Sequence, residues 1–104
     1  MTQPYVLSRG AAADLRGIVR YTVETWGEAQ SVAYVTELEA AACEVAQGRG
    51  VFKELDDLLP GLRVRRAGKH VLFCLPRQNR QTLILAILHE RMDLIARLKE
   101  RLGL

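Results

Sequence analysis

Residues 60–93 read PGLRVRRAGKHVLFCLPRQNRQTLILAILHERMD, and this stretch decides the fold. Apolar and basic residues alternate over 62–67, which predicts a strand with a basic outer face. Residues 70–75 predict a second strand, and the almost wholly apolar residues 82–88 predict a third that is covered on both faces. Because the connections are short, the three strands should form an antiparallel meander. The turn signals between them are Pro60-Gly61, Gly68-Lys69 and the polar residues 76–81, which predict a hairpin loop.

Two helices are predicted before this stretch. Ser8 is a suitable N-cap, and from there apolar residues recur at helical spacing up to Gly27. A second helix is predicted over 28–47, so the short connection should make an antiparallel helical hairpin. Gly17 inside the first helix costs about 1 kcal/mol relative to alanine, which predicts a close approach by the second helix. The apolar stripe of the first helix consists of Ala11, Leu15, Ile18, Val19, Thr22 and Trp26.

The remaining segments complete the order of elements. Residues 4–7 predict a short extended run, and residues 51–59 a loop with one turn of helix. Asp93 should cap a last helix over 93–102, which Gly103 ends. The predicted order is β-α-α-β-β-β-α, an α+β fold in a single domain of residues 1–104.

The composition indicates a soluble globular protein. The chain has 104 residues, of which 49% are hydrophobic and 26% charged, so it can fold without disulfides or metals. The longest apolar run is too short to span a bilayer, and the N-terminus shows no secretory signal. We therefore expect a cytoplasmic protein without a membrane partner. Cys43 and Cys74 should be buried thiols, because neither is spaced from His70 or His89 as in a zinc site.

The charge is distributed unevenly along the chain. Residues 1–60 contain 5 basic and 9 acidic side chains, whereas residues 61–104 contain 10 basic and 3 acidic, so the halves carry −4 and +7. Such a field favours an acidic partner on one face, either nucleic acid or an acidic protein segment. The six aromatic residues lie mostly outside the basic strands, which argues against direct sequence-specific reading of nucleic acid.

Motifs for catalysis, cofactors or metals are absent from the sequence, and we assign no catalytic residue, cofactor or metal ligand. His89 ends the apolar strand, where its imidazole could exchange a proton near neutral pH. With Arg63 or Arg65 and with Glu54 as a base, it could build a metal-free ribonuclease centre. The alternative is a histidine that bonds a backbone carbonyl and ends the strand.

Several strings, in order, resemble the ParE toxins of the RelE/ParE superfamily of bacterial toxin–antitoxin pairs. The resemblance runs from about Pro4 to Asp93, and the His-x-Arg-Met-Asp ending at residues 89–93 is its most specific part. The matching strings are Tyr5-Val6-Leu7-Ser8, Ala13-Asp14-Leu15 with Ile18 and Tyr21, Trp26-Gly27, Ala33-Tyr34 with Leu38, Pro60-Gly61-Leu62-Arg63, Gly68-Lys69-His70 and Ile87-Leu88-His89-Glu90-Arg91-Met92-Asp93.

The resemblance implies a helical hairpin packed on a small twisted antiparallel sheet. It implies a toxin that binds DNA gyrase and stabilises cleaved DNA, so the chain is not expected to be an enzyme. It also implies a cognate ParD-like antitoxin that wraps the toxin in a hetero-oligomer. We expect Arg63, Arg65, His89 and Arg91 to form the basic surface that contacts gyrase or antitoxin.

Two alternatives stay open, and the sequence departs from the family pattern in places. The chain could be a ribosome-dependent messenger ribonuclease like RelE, or an inactive module whose only partner is an antitoxin. The usual Asn-Pro after the second helix is replaced by Gln47-Gly48-Arg49-Gly50, Cys74 stands where an aromatic residue often follows phenylalanine, and residues 93–102 extend the tail as a helix.

Overall fold

A computed structural model describes residues 3–104 of the chain. Residues 1 and 2 lie outside the described residues, and with them the start of the N-terminal stretch that shows no secretory signal. The elements are β1 (Tyr5–Leu7), α1 (Arg9–Trp26), α2 (Glu28–Ala46), β2 (Lys53–Glu54), β3 (Arg63–Ala67), β4 (His70–Arg77), β5 (Arg80–His89) and α3 (Leu94–Leu102).

The strands form one five-stranded sheet in the order β1-β5-β4-β3-β2. β3, β4 and β5 are joined as an antiparallel meander, so the predicted meander and the α+β class are confirmed. β1 pairs parallel to β5 through Tyr5–Leu7, and the two-residue β2 is added at the opposite edge. β1 corresponds to the extended run predicted over residues 4–7, whereas β2 is not predicted, because two residues cannot establish an alternation.

The sheet is covered on both faces, which explains the continuous apolar character of β5. Leu72, Cys74 and Ile84 pack with the α1–α2 hairpin on one face. Phe73 and Ala86 pack on the other face with Leu98 of α3, with the buried Leu62 and with the partly buried leucines of the 55–59 segment. Successive residues of a strand point to opposite faces, so a strand between two layers is apolar at nearly every position.

The helical hairpin begins and turns where its caps predict. The Ser8 Oγ accepts a hydrogen bond from the Ala11 N–H at 3.0 Å, and Gly27 separates the helices with φ of +89°. The helices contact through a buried hydrogen bond of 2.7 Å between the Thr22 and Ser31 hydroxyls. A Cβ built on Gly17 would meet nothing within 4 Å, so the predicted close approach of α2 at this glycine is wrong.

The β4–β5 connection is shorter than the sequence predicts. β4 continues to Arg77 and β5 starts at Arg80, so the predicted loop over 76–81 is a two-residue turn in which Asn79 has φ of +57°. Pro76 lies at a register shift between Leu75 and Arg77. A proline lacks the N–H that a ladder needs, and a register irregularity is one of the few sites that tolerate it inside a strand.

The remaining predictions have mixed outcomes. The last helix is confirmed, with the Asp93 carboxylate accepting from the Ala96 N–H and Gly103 left-handed at the end. Residues 51–59 hold the two residues of β2 and a turn closed on the Leu55 carbonyl. Cys74 is buried, but Cys43 is half-buried, so only one of the two predicted buried thiols is found. Among residues 3–104, no helix is long and apolar enough to cross a membrane.

Candidate functional site

An open groove of about 660 Å³ lies between α1 and the end of β5. One wall is the side of α1 that the sheet leaves uncovered, and the other is formed by the β3–β4 turn and the residues after β5. Most of its lining is apolar. The lining residues are Asp14, Gly17, Ile18, Tyr21, Thr22, Trp26, Tyr34, Lys69, His70, Ile87, Leu88, His89, Arg91 and Met92.

Large apolar side chains that line the groove are exposed. Tyr21 is 60% exposed and Trp26 is 56% exposed, and their rings meet edge to face with centroids 5.9 Å apart. Met92 on the facing wall is 45% exposed. Trp26 was expected in the buried stripe of α1, and Val19 of that stripe is also exposed, whereas Ala11, Ile18 and Thr22 are buried. Clustered exposed apolar groups next to a concave surface mark an interaction site.

Two imidazoles also line the groove. His70 and His89 are opposite each other on β4 and β5, with ring centroids 5.2 Å apart. The Tyr34 hydroxyl accepts from the Lys69 N–H at 2.9 Å and is also hydrogen-bonded to Nδ1 of His70, 2.6 Å away. Burial, helped by the nearby His89, lowers the pKa of His70.

His89 is fixed by the chain that follows it. Its Nδ1 accepts a hydrogen bond from the Arg91 N–H at 3.1 Å. The turn after β5 thus sets the imidazole against the groove and leaves Arg91 exposed on the rim. The sequence also allowed a histidine that ends the strand by bonding a backbone carbonyl. His89 does bond the backbone at the end of the strand, but its partner is the Arg91 N–H and not a carbonyl.

The rim of the groove is cationic. Lys69 and Arg91 line it and are exposed. The Glu90 carboxylate accepts from Arg66 at 2.6 Å and lies 3.8 Å from the Lys69 amine, so it offsets part of the Lys69 charge. A partner segment entering the groove therefore meets an apolar floor and positive charge at the edge.

Arg63 and Arg65 lie elsewhere, and the predicted basic outer face is wrong for both. They share a face with Ala67 toward the helical hairpin, because they stand opposite Cys74 and Leu72. The Arg63 guanidinium donates to the Val45 carbonyl at 2.8 Å and lies 4.9 Å from the Phe52 ring centroid.

Arg65 is held in the same layer. Its guanidinium pairs with the Glu44 carboxylate at 2.9 Å. Both arginines thus lie at the C-terminal end of α2, Arg63 on the Val45 carbonyl and Arg65 on the Glu44 side chain, where positive charge is favourable to the helix dipole. The alternation over 62–67 predicts two faces of a strand but not which face another layer covers.

The structure brings together only two of the four predicted site residues, and it does not gather the ribonuclease set. His89 and Arg91 lie at the groove, at the end of β5 that pairs with the start of β4. Arg63 and Glu54 are opposite each other in the β3–β2 register, at the other end of β3 from Ala67 and four residues along the strand. Four residues of strand span about 13 Å, so these groups do not face one substrate position.

Several residues of the groove are assigned to no site from the sequence. Gly17 is unexplained there as a helix-interior glycine. Tyr21 and Tyr34 occur in the strings that resemble the family, but an aromatic residue in an amphipathic helix is usually core, so neither is predicted at a site.

The sequence matches one family over most of its length. A profile described as ParE toxin of type II toxin–antitoxin system, parDE, matches residues 5–94. The chain is 50% identical over 98 residues to Toxin ParE of Escherichia coli, which covers 94% of this chain and 95% of the relative. It is 35% identical over 96 residues to Toxin ParE1 of Caulobacter vibrioides, which covers 92% of this chain and 98% of the relative.

A solved structure has the same fold. It is titled Chromosomal ParDE TA system from P. aeruginosa and superposes with a TM-score of 0.65 at 20% identity, covering 82% of this chain and 92% of that one. At that identity the likeness concerns the fold alone. The sequence matches extend over β1, the hairpin and the whole meander, so the chain belongs to the ParE toxin family of type II toxin–antitoxin systems.

Proposed function

We propose that this ParE toxin binds DNA gyrase, stabilises its cleaved-DNA state and is neutralised by a ParD-like antitoxin seated in the groove. The family match over residues 5–94 is the observation that carries the proposal. On this view the chain inhibits by protein–protein contact and is not an enzyme. It acts in the cytoplasm, because its target works on the chromosome there.

The geometry supports contact rather than catalysis. His89 faces His70 at one end of the meander, while the candidate base Glu54 and Arg63 are opposite each other in the strand register at the other end. A general base has to come within hydrogen-bond reach of the proton that it removes, and the candidate groups share no such point. Nothing in the site favours the messenger ribonuclease over the gyrase inhibitor.

The antitoxin assignment rests on the groove. Its apolar floor suits the apolar face of a partner segment, and the Lys69 and Arg91 rim suits acidic side chains on that segment. The +7 charge of residues 61–104 adds long-range attraction for an acidic antitoxin tail. The toxin and antitoxin then form a hetero-oligomer.

Supercoiling by purified gyrase, with this protein added at micromolar concentration, tests the inhibitor proposal. We expect loss of supercoiling and accumulation of cleaved DNA, both reversed by the antitoxin encoded beside this gene. Unimpaired supercoiling without cleaved DNA contradicts the proposal. Cut messenger and arrested synthesis in a cell-free translation system would instead support the ribonuclease.

Two arginine variants test whether the rim takes part. Arg91→Ala removes an exposed rim charge, and Arg97→Ala removes an exposed charge from α3 that does not line the groove. If the rim contacts gyrase or antitoxin, Arg91→Ala weakens that binding while Arg97→Ala leaves it unchanged. Equal effects of the two substitutions would mean that Arg91 acts only through the net charge of the protein and not through its position on the rim.

A further inference from the structure

Gly17 is not required by the free chain. It lies in the interior of α1, where glycine costs about 1 kcal/mol relative to alanine. Its backbone is not among the positive-φ glycines, so no left-handed conformation demands it. A Cβ added there would meet no heavy atom within 4 Å, so no packing neighbour demands it either. Neither conformation nor packing accounts for the missing side chain.

Gly17 lies on the groove wall between two larger side chains. Asp14 is three residues before it and Tyr21 four residues after it, and all three line the groove. Residues at these spacings are neighbours on one helix face, so Gly17 forms a notch in the wall. A glycine at such a point lets another backbone approach closely.

The groove favours a helix over an added strand. β1 covers β5 only as far as Ile84, and the first backbone groups beyond it on that edge are already bonded. The Leu85 carbonyl accepts from the Ser8 hydroxyl and from Arg101, each at 3.1 Å, and the Ile87 N–H donates to Asp14 at 2.9 Å. A strand added here would have to displace these partners, whereas a helix satisfies its own backbone and needs only side-chain contacts.

We infer that Gly17 is the crossing point at which a helix of the antitoxin packs against α1 with its backbone close to that of the toxin. The inference rests on the proposed antitoxin partner and adds its conformation and its contact position. The helix carries a small residue over Gly17 and apolar residues toward Tyr21 and Trp26. It carries a carboxylate toward Arg91, because the exposed charge at that rim is positive.

The test separates stability from binding in one substitution. Gly17→Ala raises the urea midpoint of the free toxin, since alanine is the better helix former and its methyl enters open space. The same methyl enters the space of the partner, so it weakens the Kd for the purified antitoxin of the adjacent gene about tenfold or more. Gly17→Leu weakens it further. The far-UV circular dichroism signal for helix is larger for the complex than the sum of the signals of the free toxin and the free antitoxin.

Thr36→Ala is the matched control. Thr36 is exposed on α2 and does not line the groove, so alanine there raises the urea midpoint without changing the Kd. A Gly17→Ala toxin that binds as tightly as the wild type overturns the inference, as does a lower urea midpoint or no gain of helix on binding. Failure of the wild-type toxin to bind the antitoxin contradicts the proposed function instead.

Discussion

Asp14 and Arg101 form a bidentate ion pair that joins the first helix to the last around the edge of the sheet. Both guanidinium nitrogens lie 3.0 Å from the carboxylate oxygens. The Asp14 carboxylate also accepts from the Ile87 N–H at 2.9 Å, and Arg101 donates to the Leu85 carbonyl at 3.1 Å. The pair therefore completes the backbone hydrogen bonding of β5 at the point where β1 ends.

Asp14→Ala is expected to lower the free energy of unfolding by about 1–3 kcal/mol. The change leaves the Ile87 N–H and the Arg101 guanidinium without their acceptor, and an unpaired, partly buried donor costs about that much. Urea denaturation measures the loss. The double variant with Arg101→Ala should lose less than the sum of the single losses, because the two residues share one interaction. Additive losses would show that the pair contributes nothing.

The local elements could be predicted from the sequence, and the long-range pairings could not. Ser8, Gly27 and Asp93 mark helix ends because a cap depends on a few neighbouring residues. Arg101 pairs with Asp14, which is 87 positions away in the sequence, and no local pattern predicts such a partner.

The candidate site was predictable only in part for the same reason. His89 and Arg91 were placed correctly at the exposed end of a strand. The arginines of β3 were not, since alternation distinguishes two faces of a strand without revealing that helices cover one of them. The opposite error occurs at Trp26. Its helical spacing predicts a core position, but the side chain is exposed at the groove.

The stability of the fold should decrease as the pH falls below 6.5. Burial and the neighbouring His89 lower the pKa of His70, whereas Asp14 and Glu90 oppose that shift. The unfolded chain, with the ordinary histidine pKa of 6.5, then binds the proton more readily than the folded chain. The contribution of neutral His70 is thus complete above pH 6.5 and is lost as the pH falls toward the lower, folded-state value.

Urea midpoints between pH 7.5 and 5.5 measure this dependence. His70→Gln removes the titrating group, so the midpoint of the variant should change less over that interval than the midpoint of the wild type. The range stays above the pH at which ordinary carboxylates titrate. Parallel curves for the two proteins would mean that His70 does not cause the pH dependence.

Gly68→Ala should destabilise the turn between β3 and β4 through two separate costs. Gly68 has φ of +58°, where a side chain costs about 1–2 kcal/mol. In addition, its Cβ would lie 2.6 Å from a ring carbon of Tyr34 and displace the hydroxyl that bridges Lys69 and His70.

Gly61→Ala provides the control for that change. Gly61 also has positive φ, at +81°, but a Cβ there meets nothing within 4 Å, so only the conformational cost applies. Gly68→Ala should therefore lose more free energy of unfolding than Gly61→Ala. Equal losses in thermal or urea denaturation would mean that Tyr34 accommodates the methyl without cost.

Arg63→Ala should weaken the toxin through its fold. It removes the hydrogen bond to the Val45 carbonyl at the end of α2 and the contact with the Phe52 ring. The two interactions together contribute about 1–2 kcal/mol. Arg91→Ala, on the exposed rim, should leave the urea midpoint unchanged. If Arg63→Ala kept full stability and yet lost gyrase inhibition, Arg63 would have to contact the target directly.

The affinity of the toxin for its antitoxin should fall as salt rises. The exposed Arg91 and Lys69 at the groove rim, together with the +7 charge of residues 61–104, attract an acidic segment. The Debye length shrinks from about 10 Å at 0.1 M to about 3 Å at 1 M, which screens exposed charges but not apolar contacts.

Association and dissociation rates at several sodium chloride concentrations give the slope of log Kd against log salt. Arg91→Ala should flatten the slope more than Arg97→Ala, since both remove one exposed charge and only one borders the groove. A Kd that stays constant from low to high salt would assign the binding to the apolar floor around Tyr21 and Trp26.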